Sequence, residues 1–182
     1  MRTIYLFASF ALFSMIINAQ EFELTANGFQ SGESDYLVLE YPEKSQEELY
    51  NKTLAYLHTL YKDPKEALST LDNESITITG HASNQVRRNN FHIFDLDYTW
   101  VIRFKDGKVR FDAPDVTMRH WYEGDWQLLL VNLEKGGFMD TYRMGIYKKG
   151  KLKIEKAKAD LEHYFNAILK DYSNSFLTDN DW

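Results

Sequence analysis

Phe91-His-Ile-Phe-Asp-Leu-Asp-Tyr-Thr-Trp-Val-Ile-Arg-Phe-Lys-Asp-Gly-Lys-Val-Arg-Phe-Asp-Ala-Pro-Asp-Val-Thr-Met-Arg-His-Trp121 is the stretch that decides the fold. It reads as two long strands around Lys105-Asp106-Gly107-Lys108. Asp-Gly between alternating runs is a strong hairpin signal, and a type I′ turn with positive φ at both central residues is expected. Before the turn, Leu96, Tyr98, Trp100, Ile102 and Phe104 share one face, while Asp97, Thr99, Val101 and Arg103 share the other. After it, Val109, Phe111 and Ala113 alternate with Arg110, Asp112 and Pro114. A period of two predicts a sheet with one face packed and one wetter face. Pro114 cannot donate to a ladder, so it marks an edge, a bulge or a bend.

Outward from the hairpin, Asp35–Tyr41 reads as a first strand stopped by Pro42. Ser45-Gln-Glu-Glu48 has the form of a capping box, because the Ser hydroxyl can accept from the amide three residues on. The helix it opens carries Leu49, Thr53, Leu54, Leu57, Leu60 and Tyr61 on one stripe, and Asp63-Pro64 ends it or starts a further helical turn with Ala67, Leu68 and Leu71. Ser75–Thr79 reads as a short strand closed by Gly80, with His81–Asn90 a polar connection. Glu123-Gly-Asp125 breaks the pattern, Trp126–Leu133 is ambiguous between strand and helix, and Gly136-Gly137 marks a loop. From Lys151 a long amphipathic helix is predicted, with Ile154, Ala157, Leu161, Tyr164, Phe165, Ile168 and Tyr172 inward and Lys156, Lys158, Asp160, Glu162 and Lys170 outward.

Residues 1–19 have the three parts of a secretory leader: Arg2, the apolar run Ile4–Ile17, and Asn18-Ala19 before Gln20. The run is short for a membrane-spanning helix. The expected layout is leader 1–19, polar lead-in 20–34, one α+β domain 35–175 and a frayed tail 176–182. The chain is thus expected to be exported, to the periplasm or beyond, with membrane association left open. After removal of the leader it is not expected to be an integral membrane protein.

Composition narrows the function. A net charge of −6 argues against nucleic acid as a partner. The absence of cysteine excludes disulfides, thiolate nucleophiles and Cys-ligated zinc. No Gly-x-Ser-x-Gly elbow and no Gly-rich phosphate loop occur, so no enzyme, cofactor or metal is expected. His58 and His163 fall on helices without a second His at helical spacing, whereas His81, His92 and His120 lie near strand ends and could converge. Asp95, Asp97 and Asp112 could supply paired carboxylates. The plainer reading is ion pairing with Arg103 or Arg110. Lys148-Lys149-Gly-Lys151-Leu-Lys153 reads as a solvated basic run. Trp100, Phe104, Phe111, Trp121, Tyr122 and Trp126 either form core or line a groove.

Tyr41-Pro-Glu-Lys-Ser-Gln-Glu-Glu-Leu-Tyr50 and Tyr98-Thr-Trp-Val-Ile-Arg-Phe-Lys-Asp-Gly-Lys-Val-Arg-Phe111, in the order β-α-β(n)-α, resemble a bacterial domain-of-unknown-function family, number 4468, over about residues 35–120. The resemblance implies a TBP-like helix-grip fold, a curved antiparallel sheet held by a long helix from the N-terminal half and a C-terminal helix. It implies no activity and no catalytic residues. The functional expectation is a non-enzymatic envelope interaction module with a protein partner. The alternative is a binder of an apolar ligand or glycan in a sheet–helix groove. Trp100, Arg103, Arg110 and Phe111 are the candidate ligand or partner surface, and the oligomeric state is left open.

Overall fold

The structure, a computed structural model, describes residues 20–134 and 143–177. The expected leader 1–19, the loop expected at Gly136-Gly137 and the last five residues of the expected tail lie outside the described residues. The strands are β1 (Glu23–Thr25), β2 (Gly28–Gln30), β3 (Tyr36–Glu40), β4 (Leu68–Leu71), β5 (Ser75–Arg87), β6 (Ile93–Lys105), β7 (Lys108–Asp112), β8 (Asp115–Tyr122), β9 (Asp125–Leu133), β10 (Arg143–Lys148) and β11 (Lys151–Leu152). The helices are α1 (Gln46–Leu60), α2 (Pro64–Ala67) and α3 (Glu155–Leu177). No described helix is long and apolar enough to cross a membrane.

The hairpin is the spine of a nine-stranded curved sheet. One edge of β6 pairs with β5 along most of its length. The other edge pairs first with β8 (Asp95↔Arg119 to Thr99↔Asp115) and then with β7 (Ile102↔Phe111 to Lys105↔Lys108). Between these ladders Trp100 and Val101 face Asp112, Ala113 and Pro114, two residues against three. That is a bulge, and it absorbs Pro114. It also frees the Asp112 carbonyl to accept from the Trp100 indole N–H at 2.7 Å. The sheet divides there, with β3 beside β7 and β9, β10 and β11 beyond β8. One pairing departs from the expected antiparallel sheet: β9 and β10 run parallel.

The central turn also differs from expectation. Gly107 has φ 73° and Asp106 has no positive φ, so the turn is not type I′. Asp106 instead accepts from the Gln46 amide at 2.8 Å, so the hairpin turn helps cap α1. Both central residues have positive φ at Glu123-Gly124 (52° and 87°) and Lys149-Gly150 (50° and 73°). The basic run is therefore the β10–β11 turn, not the start of α3.

α1 begins as expected, with Ser45 Oγ accepting from the Glu48 amide at 3.2 Å. Leu49, Tyr50, Thr53 and Leu57 are buried, but Leu60 is exposed. Leu68–Leu71 leaves the helix and becomes an edge strand on β5. Gly80 does not end β5. The strand runs on to Arg87, because Gly80 has no Cβ to strike the Tyr98 ring across the ladder. The polar lead-in is also corrected. β1 and β2 form a hairpin whose Leu24 and Phe29 are buried, as is Phe22 just before it, and Asn166 of α3 holds Phe22 through both its backbone amide and its carbonyl.

α3 lies across the sheet with Ala157, Leu161, Phe165, Leu169, Tyr172 and Phe176 buried. Phe176 is thus packed, not frayed. Phe165 meets Trp100 at 5.3 Å and Tyr98 at 5.4 Å, while Tyr172 meets Phe111 at 5.0 Å. Each such buried side chain contributes about 1.5–3 kcal/mol of transfer free energy, so this seam holds the helix to the sheet. Asp160 is not an outward residue. It is buried and accepts from the Arg87 amide at 2.9 Å and from the Arg87 guanidinium, which closes the outer end of β5.

Candidate functional site

The two faces of the sheet differ sharply. The helix-covered face contains Phe94, Leu96, Tyr98, Trp100, Ile102 and Phe104, all buried. Trp100 and Phe111 are in contact there at 5.3 Å and are sealed by Phe165 and Tyr172. They form core, so the expected groove between sheet and helix does not open at these two residues. Three phenols meet in the same layer. Tyr61 and Tyr98 are 2.8 Å apart at their hydroxyls, and Tyr164 donates to Tyr98 at 3.1 Å. Burial pushes Tyr61 up to about 12 and raises Tyr98 and Tyr164 above the ordinary phenol value.

Arg103 and Arg110 lie on the other face, directly opposite one another in the ladder. Asp112 accepts from Arg103 Nε at 2.8 Å and from Arg110 Nε at 2.6 Å, and Arg110 also lies 3.9 Å over the Tyr36 ring. The structure therefore places Asp112 in the pairing expected of it. It does not place it beside Asp97. Exposed pairs of this kind contribute little to stability, and their effect is to fix two guanidinium groups in place.

A second constellation occupies the same face. Trp121 and Trp126 are opposed on β8 and β9, with ring centroids 5.2 Å apart, and they are 55% and 46% exposed. The Arg119 guanidinium lies 5.2 Å from the Trp126 ring, and its Nε donates to Asp97 at 2.9 Å. Asp97 bonds His81 Nδ1 at 2.7 Å, and His81 Nε2 is 3.1 Å from Ser83 Oγ. The carboxylate fixes the proton on Nδ1 and leaves Nε2 to accept from the serine. Beside this row lies a shallow depression of about 260 Å³ bordered by Thr79, His81, Asp97, Thr99, Asp115 and Thr117.

Ser83, His81 and Asp97 stand in the order of a nucleophile relay. Acyl transfer also needs donors for the developing oxyanion. The amide just after Ser83 is engaged, since Asn84 N–H donates to Asp95 at 2.8 Å. Asn84 takes φ 54° at the β5 irregularity and turns that amide onto Asp95. The row is thus a fixed set of donors and acceptors on an open surface.

The histidines separate. His92 and His120 converge with ring centroids 6.1 Å apart and Tyr122 alongside, whereas His81 belongs to the Asp97 row. His58 and His163 are exposed on the helices. Among the described residues no group of three or more His, Cys, Asp or Glu is arranged to hold a metal ion. Sequence reasoning missed the row because it ended β5 at Gly80. His81 and Ser83, two apart in a strand, share a face, and that spacing was the available signal.

Residues 36–119 match the model of a family described as domain of unknown function (DUF4468) with TBP-like fold, within one residue at each end of the stretch that carries the resemblance. Two solved structures are similar. One is a TBP-like protein from Parabacteroides distasonis ATCC 8503, 14% identical, with a TM-score of 0.53 over 76% of this chain and 91% of that one. The other is a DUF4468 family protein from Bacteroides ovatus ATCC 8483, 13% identical, with a TM-score of 0.52 over 81% and 87%. At these identities the likeness is one of fold. No curated protein matches the chain.

Proposed function

We propose that this chain, whose residues 36–119 match the DUF4468 family with its TBP-like fold, is an exported, non-enzymatic interaction module of the bacterial cell envelope. It works through the open face of its sheet. The observation that carries this reading is the asymmetry of the sheet: both long helices cover one face, and the other presents a rigid Trp pair beside fixed polar groups. Large exposed aromatic pairs are uncommon on a surface that meets only water. The leader pattern of residues 1–19 supports export. The engaged amide after Ser83, with the missing nucleophile and phosphate motifs, supports a binding role over a catalytic one.

The test is affinity capture from the envelope fraction of the source cells with three forms of the chain: wild type, Trp121→Ser/Trp126→Ser, and Lys170→Glu on the exposed side of α3. A component captured saturably by wild type and Lys170→Glu, and lost with the Trp variant, supports the reading. Capture indifferent to the Trp pair contradicts it.

A further inference from the structure

We propose that the open face recognises a neutral oligosaccharide, laid from the Trp121–Trp126 pair along the Arg119–Asp97–His81 row. This rests on the open-face reading above and names the chemistry of its partner. A pyranose ring has an apolar C–H face and a rim of hydroxyls that both donate and accept. The first half of that description needs an exposed, rigid aromatic plane. Trp121 and Trp126 each offer one, inclined at 69° to the other, since each is about half exposed and each indole is restrained by the other across the ladder. Arg119 restrains Trp126 further from its other neighbour.

The second half needs fixed donors and acceptors beside the plane. Arg119 carries five N–H donors, and its Nε–H is anchored by Asp97. Asp97 in turn orients His81, so three polar side chains are held in place before any ligand arrives. Pre-ordered groups of this kind reduce the ordering cost of binding. The depression that follows is bordered by the hydroxyls of Thr79, Thr99 and Thr117, which can donate or accept as a sugar hydroxyl requires. It is open and shallow, which suits a chain lying across it more than a small molecule enclosed within it.

Charge selects among sugars. The protein carries a net charge of −6, and Asp97 and Asp115 both border the depression. The Arg119 guanidinium is paired with Asp97, and Arg103 and Arg110 are paired with Asp112, so none of these guanidiniums is left unpaired for an acidic polysaccharide, and the ligand is neutral. A protein partner fits less well, because beyond the indoles and the half-buried Leu128 beside them the face runs on as the charged Arg119–Asp97–His81 row, whereas the centres of protein interfaces are depleted in charge.

The test is isothermal calorimetry and tryptophan fluorescence on the purified chain against hexasaccharides of cellulose, xylan, mannan, chitin and starch, with heparin as the charged comparison. Saturable binding of at least one neutral hexasaccharide is expected, together with a fluorescence change. Trp121→Ala or Trp126→Ala should weaken it at least about tenfold, and Asp97→Asn should weaken it less, all with wild-type circular dichroism. Two results overturn the proposal: no binding of any hexasaccharide up to millimolar concentration, or binding that the two Trp variants leave unchanged. If the sugars fail and envelope capture still depends on the Trp pair, the carbohydrate assignment falls and the open-face reading stands. If capture is indifferent as well, both fall.

Discussion

Gly80 and Tyr98 sit opposite each other on β5 and β6, and the phenol ring occupies the space a side chain at position 80 would need. A Cβ built on Gly80 would lie 2.2 Å from Tyr98 Cζ. Gly80→Ala is therefore expected to destabilise the chain by about 1–3 kcal/mol, the usual cost of overpacking a filled site. The clash involves the ring, so Tyr98→Leu should absorb part of it. Urea unfolding of both single variants and the double variant checks this. Additive effects, within about 0.5 kcal/mol, would show that the two positions do not compete for space.

Thr53 and Tyr172 form a buried pair with a direction. Thr53 Oγ1 donates to the Leu49 carbonyl at 2.7 Å, so the Tyr172 hydroxyl, also at 2.7 Å, is the donor to Thr53. Thr53→Val leaves that buried phenol without an acceptor and should cost about 1–3 kcal/mol. Tyr172→Phe leaves Thr53 still bonded to Leu49 and should cost about 1 kcal/mol or less in hydrogen bonding. Denaturant midpoints of the two variants decide the order, and a larger loss for Tyr172→Phe would refute the assigned direction.

Acid should find Asp160. Burial pushes its carboxyl up, but hydrogen bonds from the Arg87 side chain and amide outweigh that, and the net shift is downward. A group depressed in the folded state adds stability above its unfolded value, near pH 4, and that stability is lost as pH falls through the lower folded value. The stability gap between wild type and Asp160→Asn should be constant from neutrality to about pH 5 and narrow below about pH 4. A gap that stays constant or widens in acid would remove Asp160 from the account.

Alkali should act through the tyrosines. Burial raises Tyr41 and Tyr61 to about 12, and it raises Tyr56, Tyr98, Tyr164 and Tyr172 as well. The unfolded chain ionises these phenols near 10, so stability is complete below about pH 10 and declines as pH climbs towards the folded values. Phenolate absorbance should show only part of the tyrosines titrating near pH 10, with the remainder appearing in a cooperative step on unfolding. A single smooth titration of all of them near 10 in the folded protein would contradict the buried network.

The hairpin, the Ser45 cap, an interruption of the ladder at Pro114 and the inward stripe of α3 were legible because each is a local pattern with a local cause. What was not legible depended on partners distant in sequence. Gly80 reads as a strand end until Tyr98 is placed above it. Asp160 reads as a surface residue until Arg87 arrives from 73 positions earlier. Phe22, Leu24 and Phe29 are too sparse to declare a strand pair, and α3, Trp100 and Tyr147 show why they are buried. Of the four candidate surface residues, periodicity separated Trp100 from Arg103 correctly by face, but it could not say that Trp121, Trp126 and Arg119 would meet the Asp97 row.

The open face is tested most directly by photocrosslinking in the source cells, with a photoreactive residue placed at exposed Glu123, in the turn beside the intact Trp pair, or, separately, at Lys170 on the exposed side of α3. A discrete envelope adduct from position 123 and none from position 170 is the result expected of a module that binds through the face of its sheet opposite the helices. Adducts from position 170 with none from 123 would contradict it and move the binding surface to the helices.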